Sequence, residues 1–472
     1  MQGHKQFVDK VVLRFRLSER VPKHNLYRRL AELLDWDFLY QQTQALYSHT
    51  GQPSLDPVVF FKLMLVSRLE NLVSDRRLVE HCALRLDILY FLGYEVDEDL
   101  PWHSTISRTR QLYPASVFEQ LFDHVFAQCV ARGLVAGDTQ VVDSAPVKAN
   151  ASLRAVREKQ PLGTSSPFRA PPAEPVAVAP DASVVTAPAH QLRQLATAQA
   201  RRLQAPFGHV GAQHEKARLL SNKTHYCPTD PDARISVKTG KARALNYLCS
   251  LAVDTAHGVI GHVQADFADS RASLHLPRLL TDLQRRLRSN ELPLRELLAD
   301  AGYANGPNYA LLEAQHITAW VPVFGQYKSD VDGFPYDAQT DTYQCPAGKR
   351  LLFKKVDTTA DGSWVKPYRA TYQECRHCPL KPTCIPKGTY KQLTRTIYGG
   401  PYRRAWQRQQ SRRGRRMRQL RQSTVEPVFG NLIHHYGLRR MNVRGHAGTH
   451  KTMLLAAVAY NLKKLLKYRP TQ

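Results

Sequence analysis

Apolar positions recur at helical spacing through the first 135 residues. Pro57-Val-Val-Phe-Phe-Lys-Leu-Met-Leu-Val-Ser-Arg-Leu predicts one helix, and Ser74-Asp-Arg-Arg-Leu-Val-Glu-His predicts another with Ser74 as its N-cap. Phe91-Leu-Gly-Tyr is a natural break, after which Ser104 reads as the cap of a helix that presents Arg108 and Arg110. An all-helical N-terminal domain over residues 1–135 follows. Its basic last helix suits a helix-turn-helix DNA reader, and the same pattern suits a packing or dimerisation module.

From Asp138 the period shortens to that of strands. Thr139-Gln-Val-Val-Asp reads as a short buried strand ending at Asp143, within a first α/β segment at 136–156. Residues 157–215 are rich in Ala, Pro and Gln, with Pro161, Pro167, Pro171, Pro172, Pro175, Pro180 and Pro188, and read as a flexible insertion with a helix near 190–203. Over 216–330 the α/β pattern resumes. Ala242–Asp254 and Val259–Phe267 are strands joined by a turn at Thr255–Gly258. Ser273–Leu287 is an amphipathic helix with Leu274, Leu276, Leu279, Leu280 and Leu283 on one face. A strand ending at Asp300, a helix at Asn308–Gln315 and a strand at Ile317–Val323 complete the run. This order predicts an α/β fold with a mixed sheet, and it puts Asp143 and Asp300 at strand ends, where α/β sheets gather ligands. A Cys-rich insertion at 331–395 and a basic segment with C-terminal helices at 396–472 follow.

Composition adds a partner. The 472 residues carry 66 Lys+Arg against 40 Asp+Glu, a net charge of +26, which attracts polyanions and above all nucleic acid. A basic ribosomal-type protein would share that charge, so charge alone names no reaction. At 43% hydrophobic and 22% charged residues, disorder throughout is excluded. No apolar run is long enough to span a bilayer, and no secretory leader pattern opens the chain, so neither membrane nor export is expected.

Three groups of residues could carry chemistry. Asp143, Asp300 and Glu426 are carboxylates of the kind that hold hard divalent cations for phosphodiester chemistry, where two ions sit roughly 3.5–4 Å apart. Each has a plain alternative: the aspartates as turn caps, and Glu426 as the last member of a Ser423–Glu426 capping box. Asp138, Asp254 and Asp266 fit the local pattern as well, and spacing does not choose among them. The second group is Arg403, Arg404, Arg408, Arg412, Arg413, Arg415, Arg416, Arg418 and Arg421, uninterrupted by any acid. Such a tract suits DNA phosphates better than a solvated helix face, because uncompensated cations repel. The third is Cys345, Cys375, Cys378 and Cys384, four thiols that suit a closed structural zinc site, with His377 as an alternative ligand and unliganded reduced thiols as the other reading.

In this order the residues resemble bacterial insertion-sequence transposases of the DDE type, most closely the insertion-sequence family eleven eighty-two. Ser54-Leu-Asp-Pro-Val-Val, Ser74-Asp-Arg-Arg-Leu and His103-Ser-Thr-Ile-Ser-Arg resemble that family's N-terminal domain. Val142-Asp-Ser, Thr229-Asp-Pro-Asp-Ala-Arg, Asp300-Ala-Gly-Tyr and Val425-Glu-Pro-Val-Phe-Gly resemble its later blocks, as do Gly437-Leu-Arg-Arg, Arg444-Gly, Tyr460-Asn-Leu-Lys-Lys and the Cys cluster. The resemblance implies a ribonuclease-H-like catalytic domain in which Asp143, Asp300 and Glu426 hold two Mg²⁺ or Mn²⁺ ions for strand cleavage at element ends and strand transfer into target DNA. It also implies binding of double-stranded DNA (terminal inverted repeats and target), with Arg108, Arg110, Arg403, Arg404, Arg412, Arg413, Arg415, Arg416, Arg439 and Arg440 as candidate contacts. A homo-oligomer pairing two DNA ends in the bacterial cytoplasm, at the nucleoid, completes the expectation. One position departs from the pattern: Ile433 stands about two turns after Glu426, where related enzymes often carry a basic residue, with His434, Arg439 and Arg440 the nearest substitutes. Two alternatives remain, a domesticated transposase that only binds DNA and a structure-specific nuclease of the same fold.

Overall fold

The computed structural model describes residues 14–47, 54–161, 186–187, 221–236, 242–324, 331–359 and 362–469. Most of the insertion expected at 157–215, and its helix at 190–203, lie outside the described residues. The chain divides into two compact units. One comprises Met1–Val125, Leu432–Leu438 and Leu454–Gln472, and the other comprises Phe126–Asn431 and Arg439–Met453. Among the described residues no helix is long and apolar enough to cross a membrane.

The first unit is helical: α1 (Leu26–Leu33), α2 (Phe38–Thr43), α3 (Pro57–Leu69), α4 (Asp75–Ala83), α5 (Leu86–Leu92), α6 (His103–Leu112) and the start of α7 (Ala115–Ala131). Local chemistry sets the ends. Asp56 accepts the N–H groups of Val58 and Val59 at 2.7 and 3.1 Å and Pro57 takes the first turn, where its missing N–H costs nothing. Gly93 closes α5 at φ +86°, the break read from the sequence. Phe60, Phe61, Tyr113 and Phe118 pack edge-on and stacked into a fully buried cluster. Ser104 is not a cap: α6 begins at His103, because Trp102, fixed behind Pro101, already has the extended backbone that the capping position needs. Ser74 does occupy the cap position of α4, without a side-chain cap bond.

The second unit is mixed α/β. Its main sheet contains β1 (Thr139–Lys148), β2 (Arg234–Ser236), β3 (Ala244–Asp254), β4 (Ile260–Phe267), β5 (Glu296–Leu298) and β6 (Thr318–Trp320). The order runs β6-β5-β1-β3, with β2 and β4 both pairing the far side of β3. β1, β5 and β6 are parallel; β3 is antiparallel to β1 and to β4. Helix α8 (Leu276–Arg288) follows a short 3₁₀ turn and buries Leu276, Leu279, Leu280, Leu283 and Leu287 against this sheet, whereas Leu274 stays exposed. Helices α9 (Gly306–Ala314), α10 (Gly399–Gln410), α11 (Arg412–His435) and α12 (His446–Lys467) follow, the last two contributing residues to both units. A second antiparallel sheet over 336–396 closes a small core of Tyr343, Leu351, Tyr368 and Leu393.

One buried face is polar. His262, Gln264 and Asp266 alternate along β4, all 5% exposed or less. Arg286 of α8 donates to His262 Nδ1 at 2.9 Å, His262 Nε2 lies 3.2 Å from the Gln264 carbonyl oxygen, and Gln264 donates to both Asp266 oxygens at 2.9 Å. The bond from Arg286 makes His262 an acceptor at Nδ1, so it is neutral and carries its proton on Nε2. A cation and an anion are thus joined through two neutral side chains.

Candidate metal and DNA site

Asp143 and Asp300 are placed by the parallel pairing of β1 and β5. The register sets Thr139 opposite Glu296, Gln140 opposite Leu297 and Val141 opposite Leu298. Asp143 and Asp300 each lie two residues past the last pair of this register. β1 does not stop at Asp143, as the sequence suggested, but runs to Lys148, because β3 supplies pairing partners from Gln140 to Lys148. What ends before Asp143 is the parallel partner alone, and that departure opens the space beside the carboxylate. Asp300 caps a 3₁₀ turn at Ala301–Tyr303, its Oδ1 accepting the Gly302 N–H at 2.9 Å. A Cβ on residue 302 would stand 3.0 Å from that oxygen, which accounts for glycine there. Tyr303 is buried, and burial together with the charges of Asp143 and Asp300 pushes its hydroxyl far above the ordinary phenol range, so it stays protonated.

Glu426 reaches the same end of the sheet from α11. It is not at a helix start: α11 runs unbroken from Arg412 through Pro427 to His435, which removes the capping-box alternative. The preceding Arg, Gln, Met and Leu residues are strong helix formers and carry the helix past a proline that would otherwise begin it. Arg421, one turn earlier on α11, donates from Nη1 to Asp143 Oδ2 at 2.9 Å, and its Nη2 lies 3.6 Å from Glu426 Oε1. The Arg421 and Asp143 side chains are 14% and 18% exposed, and Glu426 is 60% exposed. Asp143 and Glu426 therefore share one guanidinium. Among the described residues no three His, Cys, Asp or Glu side chains close on a common point.

Two of the three rival acids are engaged elsewhere. Asp254 is saturated, accepting from the N–H groups of Ala136, Gly137 and Ala256 and from Gln140. Asp266 is committed to Gln264, Ser250 and His275 on the buried face.

The arginine tract divides in two. Arg404 forms a two-bond pair with Glu313 at 2.6 and 2.8 Å, which holds the Glu313 carboxyl below its ordinary range. Arg408 donates to the Ala319 carbonyl, and Arg413 pairs with Glu296 while lying over the Trp320 ring. Arg404 thus ties α10 to α9, while Arg408 and Arg413 tie α10 and α11 to β6 and β5 of the sheet. Arg403, Arg412, Arg415, Arg416 and Arg418 lie exposed on the same helices. The corner between α10 and α11 is made by Gly414, where a Cβ would meet the Arg408 carbonyl oxygen. Arg439 and Arg440 are exposed, and Arg440 bridges to Lys148 at the end of β1. In the helical unit Arg108 is exposed, whereas Arg110 is drawn into a two-bond pair with Asp75 at 2.6 and 3.0 Å.

Cys345, Cys375, Cys378 and Cys384, all free thiols, line one cavity of about 40 Å³. At its edge Cys345-Pro-Ala-Gly-Lys turns tightly, with Gly348 at φ +75° and the Lys349 N–H donating to Cys345 Sγ at 3.3 Å. The buried relay, the role of Arg421 and the second sheet were not read from the sequence. The alternation His262-Val-Gln264-Ala-Asp266 is a signal that could have found the first.

Two segments of the chain match transposase family models. Residues 15–112 match the family model of a transposase domain (DUF772), and residues 344–466 match that of a transposase DDE domain. Together the two matched segments support an insertion-sequence transposase of the DDE type. No curated relative matches the chain. Among solved structures, the Mos1 transposase paired-end complex with left transposon end is 9% identical over 62% of this chain and 70% of that chain, with a TM-score of 0.17, too loose a superposition to carry an argument.

Proposed function

We propose that the protein is a metal-dependent DNA transposase of the insertion-sequence family eleven eighty-two, which cleaves strands at element ends and transfers them into target DNA. The observation that carries this is that Asp143 and Asp300, each two residues past the last pair of adjacent parallel strands, both act on the buried Tyr303, with Glu426 joined to Asp143 through Arg421. The strand order β6-β5-β1-β3-β4, antiparallel at β3, agrees with the ribonuclease-H-like arrangement the resemblance implies.

The donor set suits hard divalent ions in kind: three carboxylates, two of them sharing one guanidinium, which a metal would have to draw together because they do not close on a common point here. Asp143, Asp300 and Glu426 would hold two Mg²⁺ or Mn²⁺ ions, which supply activation of the attacking hydroxyl and charge neutralisation at the leaving oxygen. The chain's own residues do the rest. The exposed arginines of α10 and α11 hold phosphates next to the acids, while Arg404 fixes α10 to α9 and Arg408 and Arg413 fix the two helices to the sheet. Arg108 adds positive charge in the helical unit, which we assign to recognition of terminal repeats by an oligomer pairing two ends. We assign the four cysteines to a structural Zn²⁺ ion: they line one cavity, and a backbone N–H points at the Cys345 sulfur, although the thiols do not close on a common point until an ion draws them in.

The test uses purified protein and a DNA fragment ending in the repeats that flank the gene. Cleavage at the boundary that needs Mg²⁺ or Mn²⁺ and disappears in Asp143→Asn, Asp300→Asn and Glu426→Gln supports the proposal. Wild-type cleavage by any of these variants overturns it. Ile433 favours one other reading, a protein that only binds DNA, and specific binding without cleavage under any metal would establish that instead.

A further inference from the structure

We infer that Arg421 is a resident counter-cation that closes the acid site before metal arrives, and that a divalent ion must expel it to bind. The inference rests on the reading of Asp143 and Glu426 as metal ligands, and gives Arg421, which that reading uses only to link the two acids, a role of its own.

Two carboxylates facing one another without a cation repel, so a metal-free site of this kind needs either protonation or a positive partner. Arg421 supplies the partner. Its guanidinium lies 2.9 Å from Asp143 and 3.6 Å from Glu426, bridging a strand residue to a helix residue. An arginine cannot be neutralised at any ordinary pH, so it cannot stand aside by losing a proton. A Mg²⁺ ion draws carboxylate oxygens to about 2.0–2.1 Å, and a guanidinium bonded to Asp143 Oδ2 occupies the ground it needs. Binding is therefore an exchange of cations.

The exchange raises the metal concentration at which the site fills, which holds nuclease chemistry in check in protein without its metal.

The experiment is Mn²⁺ binding to full-length, DNA-free protein, followed through the electron paramagnetic resonance of free Mn²⁺. Arg421→Gln should bind Mn²⁺ about tenfold more tightly than wild type, whereas Arg421→Lys, which keeps the charge, should stay within about threefold. A second measurement needs no variant: the Arg421 side-chain Nε–H signal of wild type should move when Mg²⁺ saturates the site. Unchanged or weaker binding by Arg421→Gln, or an Arg421 signal indifferent to Mg²⁺, overturns the inference; if Asp143→Asn still abolishes binding in that case, the acids stand as ligands. Binding that is equal in wild type and Asp143→Asn overturns the metal reading itself, and this inference with it.

Discussion

Arg421 of α11 is bonded to Asp143 of β1 at 2.9 Å, across 278 residues of sequence, with both side chains mostly out of solvent. The pair fixes the helix that carries Glu426 to the strand that carries Asp143. Removing one partner leaves the other half-buried and short of a bond, which costs about 1–3 kcal/mol. Arg421→Gln should therefore lower the denaturation free energy of metal-free protein by that amount in urea, and added Mn²⁺ should restore part of it. No loss on substitution would mean that the bond does not form in solution.

The relay on β4 gives a sharper stability test. Gln264→Leu cuts the chain between Arg286 and Asp266 and removes Asp266's bonds from Gln264 while Ser250 and His275 still hold it, so a loss of about 1–3 kcal/mol is expected in chemical denaturation. It also sets a pH dependence. Burial, then the nearby Arg286 charge, holds the His262 pKa well below its ordinary value, so the folded protein stays neutral there while the unfolded chain takes up a proton below about pH 6.5. Stability is full above that pH and falls as acid is added. His446, His225 and His124 are also held low, chiefly by burial, and act in the same direction. His262→Gln should flatten the slope below pH 6.5 by up to about 1.4 kcal/mol per pH unit, read from denaturation midpoints at several pH values.

DNA affinity should divide as the arginines do. Replacing Arg412, Arg415, Arg416 and Arg418 together by Ala should weaken binding to all sequences alike. The slope of log affinity against log salt should fall by about 0.9 for each phosphate no longer neutralised. Arg404→Ala and Arg413→Ala should change that slope less and the melting temperature more, since Glu313 and Glu296 already engage those side chains. Fluorescence anisotropy with a labelled duplex over a salt series measures the slope, and a thermal melt measures the stability.

For the cysteines, purified protein should carry one zinc per chain by elemental analysis, and Cys378→Ser should lose it. Well-folded wild-type protein without zinc would remove that assignment.

Much of this was legible in the sequence, for physical reasons. The strand period around Val141-Val142-Asp143 and Leu297-Leu298-Ala299-Asp300 located both aspartates, because buried parallel strands are short apolar runs. The end of β1 was misplaced, since an antiparallel neighbour distant in sequence, not the local pattern, sustains it to Lys148. The Ser423–Glu426 pattern allowed a helix start, and the helix-forming arginine stretch before it prevailed. The tract was visible as charge, but which arginines would meet Glu313, Glu296 or Asp143 depends on acids far away along the chain.

The central claim is that Asp143 and Asp300 bind catalytic metal directly. Exchanging each for Cys replaces a hard oxygen ligand by a soft sulfur one. Cleavage of the terminal-repeat fragment by Asp143→Cys and Asp300→Cys should vanish in Mg²⁺ and return in part with Mn²⁺ or Cd²⁺, while Asp138→Cys behaves as wild type in all three. Full Mg²⁺-supported cleavage by either of the first two variants would contradict the account.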